Sequence, residues 1–103
     1  TENPDLGTRF MAAYLKAVRQ YNQGKTERNL AIMAQYTNLD AAFVADTCWL
    51  PIPEDAAVNR TSVEEYLSWV FAKGLSDETP AIDEIWTTQF VEGAKQLLTA
   101  TEN

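Results

Sequence analysis

Apolar residues recur along this chain with helical spacing almost from end to end, and no segment shows the strict alternation of a half-buried strand. The first such run places Leu6, Phe10, Ala13, Tyr14, Ala17, Val18 and Tyr21 on one side of a helix. Asn3 stands as its N-cap, Pro4 and Asp5 occupy its first turn, and Gly24 stops it. Met11 and Leu15 widen the apolar arc to roughly half the circumference, more than one contact needs, so this helix is expected to pack on two sides.

Thr26 caps a second helix carrying Leu30, Ile32, Met33 and Tyr36 over another broad arc, ending near Thr37 and Asn38. Asp40 caps a short third helix. Leu39 before it and Val44 within it have the spacing of a hydrophobic staple, and Phe43 is expected to face the core. From residue 48 to residue 60 the pattern breaks at Pro51 and Pro53, which remove backbone donors and push the residues before them towards extended conformations. The apolar content of this loop, Trp49, Leu50, Ile52 and Val58, predicts that it lies across the helices or against a partner.

Thr61 and Ser62 each precede a glutamate by three residues, so either register forms a capping box for a fourth helix with a buried stripe of Val63, Tyr66, Leu67, Val70 and Phe71. Gly74 and Leu75 supply its C-terminal signal, and Trp69 lies about 60° outside the stripe. One helical turn is expected over 82–86. A last helix capped by Thr87 or Thr88 carries Phe90, Val91, Ala94, Leu97 and Leu98, with a tail that frays after Ala100. The expectation is an all-α fold, a small irregular bundle of about five helices with one extended loop over 48–60.

At 103 residues the chain is one helical domain, and its hydrophobic content of 46% with 22% charged residues belongs to an ordinary folded protein. A formal charge of -7 gives little electrostatic reason to bind nucleic acid or an anionic surface. The charge is uneven: residues 1–28 hold five bases (Arg9, Lys16, Arg19, Lys25 and Arg28) against three acids. No apolar run is long enough to span a membrane, and the chain as given is expected to carry no signal peptide; the start at Thr1 suits a processed or truncated product.

Candidate chemistry is sparse. Cys48, the single cysteine, excludes an internal disulfide, and nucleophilic work by it would need a base that a chain without histidine does not supply in the usual form. The acidic pairs Glu54-Asp55, Glu64-Glu65, Asp77-Glu78 and Asp83-Glu84 are sequence neighbours, which diverge by about 100° on a helix and do not converge on one substrate atom. No zinc or EF-hand spacing is present, so neither a metal nor a cofactor is expected. Asn59-Arg60-Thr61 fits a glycosylation sequon, although a turn or backbone hydrogen bond is the expected role of Asn59. The candidate ligand or partner contacts are Trp49, Trp69 and Trp86, as stacking or interface anchors, together with Arg9 and Arg19, which share a basic face of the first helix with Lys16.

The order of these features resembles the C-terminal part of ABC-transporter substrate-binding proteins of the nitrate/sulfonate/taurine type, a group that includes thiamine-precursor binding proteins. The resemblance runs through Glu2-Asn3-Pro4-Asp5-Leu6 with Phe10 and Ala13-Tyr14-Leu15, then Ala34 to Asp40, then Trp49-Leu50-Pro51, Val58-Asn59, Ser62-Val63, Trp69 and Gly74-Leu75, and closes on Asp83, Phe90-Val91 and Ala94. It departs at Ala56-Ala57, where a glycine commonly precedes Val-Asn, and at Glu64-Glu65-Tyr66-Leu67, where a glutamine-rich run is common.

The resemblance implies a non-catalytic, extracytoplasmic fragment, periplasmic or from a cell-surface lipoprotein. Its partners would be the parent's N-terminal α/β lobes and, through them, an ABC permease, with the small solute bound by the parent alone. The wide apolar arcs of the first two helices also predict a homodimer where those lobes are missing. The competing expectation is an independent helical interaction module that uses the Trp49 to Val58 loop and the basic face of the first helix.

Overall fold

The first helix, α1 (Pro4–Tyr21), begins where its sequence signals place it: the Asn3 side chain accepts a hydrogen bond from the Leu6 amide at 3.0 Å, and Pro4 sits in the first turn. In the computed structural model, which describes residues 2–102, five more helices follow. These are α2 (Glu27–Thr37), α3 (Ala41–Asp46), α4 (Arg60–Ala72), the single turn α5 (Ile82–Ile85) and α6 (Gln89–Glu102). No strand occurs among the described residues, so the protein is all-α.

Local signals account for most boundaries. Thr26 accepts from the Asn29 amide to cap α2, Asp40 accepts from the Ala42 amide to cap α3, and Asn38 closes α2 in the left-handed conformation with φ 57°. Gly74, at φ 66°, ends α4, and the Leu75 amide reaches back to the Val70 carbonyl at 3.1 Å as in a Schellman cap. The start of α4 differs from expectation. Asn59 is its N-cap, accepting from the Ser62 amide at 3.0 Å, and Thr61 and Ser62 lie inside the first turn. An asparagine just upstream takes the free amides first, so neither capping box forms. At the other end of the chain α6 is helical as far as Glu102, with the Thr101 hydroxyl donating to the Leu97 and Leu98 carbonyls.

The helices pack in pairs: α1 on α6, α2 on α3, and α4 on α5. Between α1 and α6 lies the core of Ala12, Leu15, Ala94 and Leu98, with Met11 and Ala56 against it. Leu15 is 1% exposed and Ala94 fully buried. Two glycines let these helices approach. A methyl group at Gly7 would stand 2.6 Å from the Phe90 ring, and one at Gly93 would stand 2.9 Å from the Thr8 hydroxyl. Here the need for glycine is steric, because close-packed helices leave no room for a Cβ at the crossing.

Asn29 fastens α2 to the end of α1. It is the one buried polar residue among those described; its amide group donates to the carbonyls of Gln20 (2.8 Å) and Gly24 (2.7 Å), and its oxygen accepts from the Gln20 side chain (2.9 Å). The 48–60 loop is tied to the same place. Tyr21 donates to the Leu50 carbonyl, the Asn22 side chain exchanges two hydrogen bonds with Ile52, and Trp49 stacks on Tyr21 with ring centres 5.2 Å apart. The expectation that this loop lies across the helices therefore holds.

Two expected core contacts do not form. Phe43 points outward from α3, while Val44 beside it is buried. The α4 stripe is not buried either: Val63, Leu67 and Val70 are half-covered, Tyr66 and Phe71 are exposed, and no residue of α4 is fully buried. The physical reason is the size of its partner, since α5 offers one turn against a helix of 13 residues. With its helices in pairs, the molecule is spread over 45 × 38 × 23 Å with a radius of gyration of 17.5 Å, against about 13 Å for a compact domain of this length. Its accessible surface is 7904 Å², whereas a compact monomer of 11.5 kDa exposes about 5,800 Å². About 2,100 Å² of surface is thus open that a closed fold would cover.

Candidate functional site

The side of α1 that its periodicity marks as apolar through Leu6, Phe10 and Tyr14 is where the surface hollows, while Leu15, from the widened edge of the arc, is the residue buried against α6. Leu6, Phe10 and Tyr14 follow one another at four-residue intervals beside the stripe that meets α6, and all three are exposed, Phe10 by 67%. The loop returns across this side through Ile52, Pro53, Ala56 and Val58, and Trp86 closes the far end just before α6. Between them runs a groove of 310 Å³ whose lining holds no charged residue.

The floor of the groove is made by local geometry. Ala56 adopts φ 54°, a left-handed conformation held by hydrogen bonds from its amide to the Pro53 carbonyl and from the Ala57 amide to the Asp55 carboxylate. That turn points the chain back towards α1 and presses Ala56 onto the core. Beyond Val58 and Trp86 a neighbouring cleft of 220 Å³ becomes polar, bordered by Asp55, Arg60, Glu92 and Lys95. Its cations are engaged: Arg60 pairs with Asp83 at 2.8 Å and Lys95 with Glu92 at 3.1 Å.

The five candidate contact residues do not converge. Trp86 belongs to the groove and is 38% exposed. Trp49 is half-buried in its stack on Tyr21, and its indole donates to the Val44 carbonyl, so it serves the loop. Trp69 stands on α4, 51% exposed and stacked on Tyr66 at 5.9 Å. Arg9 pairs with Asp5 one turn earlier at 2.9 Å, and Arg19 is exposed in the last turn of α1, where a cation complements the helix dipole. Phe10 and Tyr14 line the groove although sequence periodicity gives them only a place on the apolar side of α1; the signal for a second contact there is the excess width of the arc.

Chemically the arrangement offers apolar area and little else. Cys48 is exposed and free, and no group of three or more histidine, cysteine, aspartate or glutamate side chains comes together as metal donors among the described residues. No helix of the described chain is long and apolar enough to cross a membrane. A further depression of 220 Å³ between α1 and α2 is walled by Ala17, Tyr21, Ile32 and Met33, and its polar members Gln20 and Asn29 are bonded to each other. Comparison with models of protein families, with curated proteins and with solved structures gives no match for this chain.

Proposed function

We propose that this chain works by packing against other protein, as the non-catalytic, all-α C-terminal region of an extracytoplasmic solute-binding protein that serves an ABC importer of the nitrate, sulfonate, taurine or thiamine-precursor type. The observation that carries the packing role is the open surface. About 2,100 Å² beyond that of a compact monomer, with Leu6, Phe10, Tyr36, Phe43, Trp69 and Leu75 all exposed, is what a helical layer shows when its facing layer is absent. The parent's two α/β lobes are that layer in this reading, and the solute cleft lies between them.

Support for the transporter class comes from the order of the sequence features. The loop that an independent interaction module would use is partly engaged by its own chain, through Trp49 and the backbone of Leu50 and Ile52. Titration calorimetry of the chain with nitrate, taurine, other alkanesulfonates and pyrimidine precursors is the test. No binding heat is expected with any of them, and micromolar binding of one would overturn the packing role. Coding sequence upstream of Thr1 that lacks some two hundred residues of alternating strand and helix patterns would remove the transporter class.

A further inference from the structure

Residues 59–86 form an arm that is closed on itself. Helix α4 packs on α5, where Ile82 is buried and borders the same hollow as Leu67. The Arg60 guanidinium pairs with Asp83 at 2.8 Å, the Glu84 carboxylate accepts from the Ala81 amide, and the Trp86 amide donates to the Ile82 carbonyl. Among the described residues, every hydrogen bond and ion pair made by this segment ends within it. The rest of the chain is tied differently. The loop before the arm is bonded to Tyr21 and Asn22 at the end of α1, and the α2–α3 pair is fastened there by Asn29 and by the bond from Lys25 to the Ala45 carbonyl.

Two short stretches outside any helix join the arm to the rest, 57–58 on the way out and 87–88 on the way back. They meet, since Ala57, Val58, Trp86 and Thr88 border one cleft. Two adjacent crossings leave a single axis about which an arm can turn, and hinges of this kind absorb the change at a few residues between elements. The cleft supplies room for the turn: 220 Å³ stands open between Arg60 on the arm and Glu92 and Lys95 on α6.

One ring crosses the axis. Trp86 follows α5 through its amide, yet it lines the α1 groove with Phe10 and Tyr14. We propose that residues 59–86 turn as one body about 57–58 and 87–88, and that the turn draws Trp86 away from α1 and widens the groove. What resists the turn is small: the apolar hold of Val58 and Trp86, each more than a third exposed, with no hydrogen bond from arm to body. Segments with so few buried contacts open at the low end of the stability scale. Helix α4 keeps its own bonds during the turn, so the motion is distinct from its unfolding. The hinge does not rest on the transporter class, and its failure would leave that class to its own tests.

Cys48, exposed and the only cysteine, is an attachment point for a spin label on the bonded loop. Electron-spin distance measurements pair it with Lys73→Cys on the arm or Lys16→Cys on α1, both at exposed positions. A third pair, Glu65→Cys with Lys73→Cys in a Cys48→Ser background, lies wholly within the arm. The 48–73 distance distribution should be at least twice as wide as those of 16–48 and 65–73. Ala57→Gly, at an exposed hinge position, frees the backbone and should widen 48–73 further while leaving the other two unchanged. Oxidative footprinting of the same variant should rise at least twofold at Trp86 and stay level at Trp49. Three equal widths, a 65–73 distribution as wide as 48–73, or no response of 48–73 to Ala57→Gly would overturn the hinge. Unchanged oxidation of Trp86 beside a widened 48–73 distribution would overturn its control of the groove.

Discussion

Helices α1 and α4 are both well specified locally and yet end in opposite surroundings. Each has an asparagine N-cap that accepts from the amide three residues on, and a glycine in the left-handed region shortly beyond its end. Along α1 this produces a buried row of Ala12, Leu15 and Val18, of which Ala12 and Leu15 pack with Ala94 and Leu98 of the 14-residue α6. Along α4 it produces no buried residue. Capping and periodicity decide that a segment is helical; burial depends on what the rest of the chain places opposite, and α5 is too short to serve. The difference explains why Tyr66, Trp69 and Phe71 stand on the surface.

Substitutions on α1, α2 and α4 put this contrast to the test. The largest effect is expected at Leu15→Ala, which removes a fully enclosed side chain between α1 and α6. Denaturant unfolding should show a loss of about 3 kcal/mol. A loss under about 1 kcal/mol would mean that this pair is no better packed than α4. Next comes Asn29→Ala, which removes the side-chain bonds to the Gln20 and Gly24 carbonyls and leaves each with a backbone donor alone, and should cost about 2 kcal/mol by the same measurement. Gly7→Ala sets the Phe90 ring against the new methyl. Overpacking there outweighs the helix-propensity gain of alanine, for a net loss of about 1 kcal/mol in thermal unfolding. Val70→Ala on α4, measured at 1 µM chain, should change global stability by only about 0.5 kcal/mol, because its half-covered site leaves no enclosed cavity.

Most of the elements are legible in the sequence, and the reasons are local. Asn3, Thr26, Asp40 and Gly74 act on amides and carbonyls within one turn, so their effect needs no knowledge of the fold. The start of α4 belongs to the same class, although three neighbouring residues compete for it. A backbone hydrogen bond is the expected role of Asn59, yet the capping-box pattern favours Thr61 or Ser62 over it as the cap, and the structure reverses that order. What sequence does not disclose is long-range. The outward turn of Phe43, the open α4 stripe and the buried Asn29 follow from which helices meet, and period-3.6 patterns do not encode pairing. Glycines 7 and 93 carry a faint signal of a close crossing, visible only once α1 and α6 are known to touch.

The groove is legible by half. The excess apolar width of α1 predicts a second contact, and Trp86 stands among the candidate contacts, but nothing in sequence places Ile52, Val58 and Trp86 around Phe10. Their meeting depends on the hydrogen bonds of Tyr21 and Asn22 to the loop, some thirty residues away. The scatter of Trp49, Trp69 and Trp86 over a loop stack, an exposed helix and a groove has the same origin.

That α1 and α6 form a closed pair while α4 stays open is tested most directly by amide hydrogen exchange at 1 µM chain. Amides of residues 12–18 and 91–98 should exchange only through the global opening, while those of residues 63–72 exchange through local opening at a free energy lower by about 2 kcal/mol or more. Equal protection of α4 and α1 in the dilute chain would contradict this, since α4 would then have a seat within its own fold.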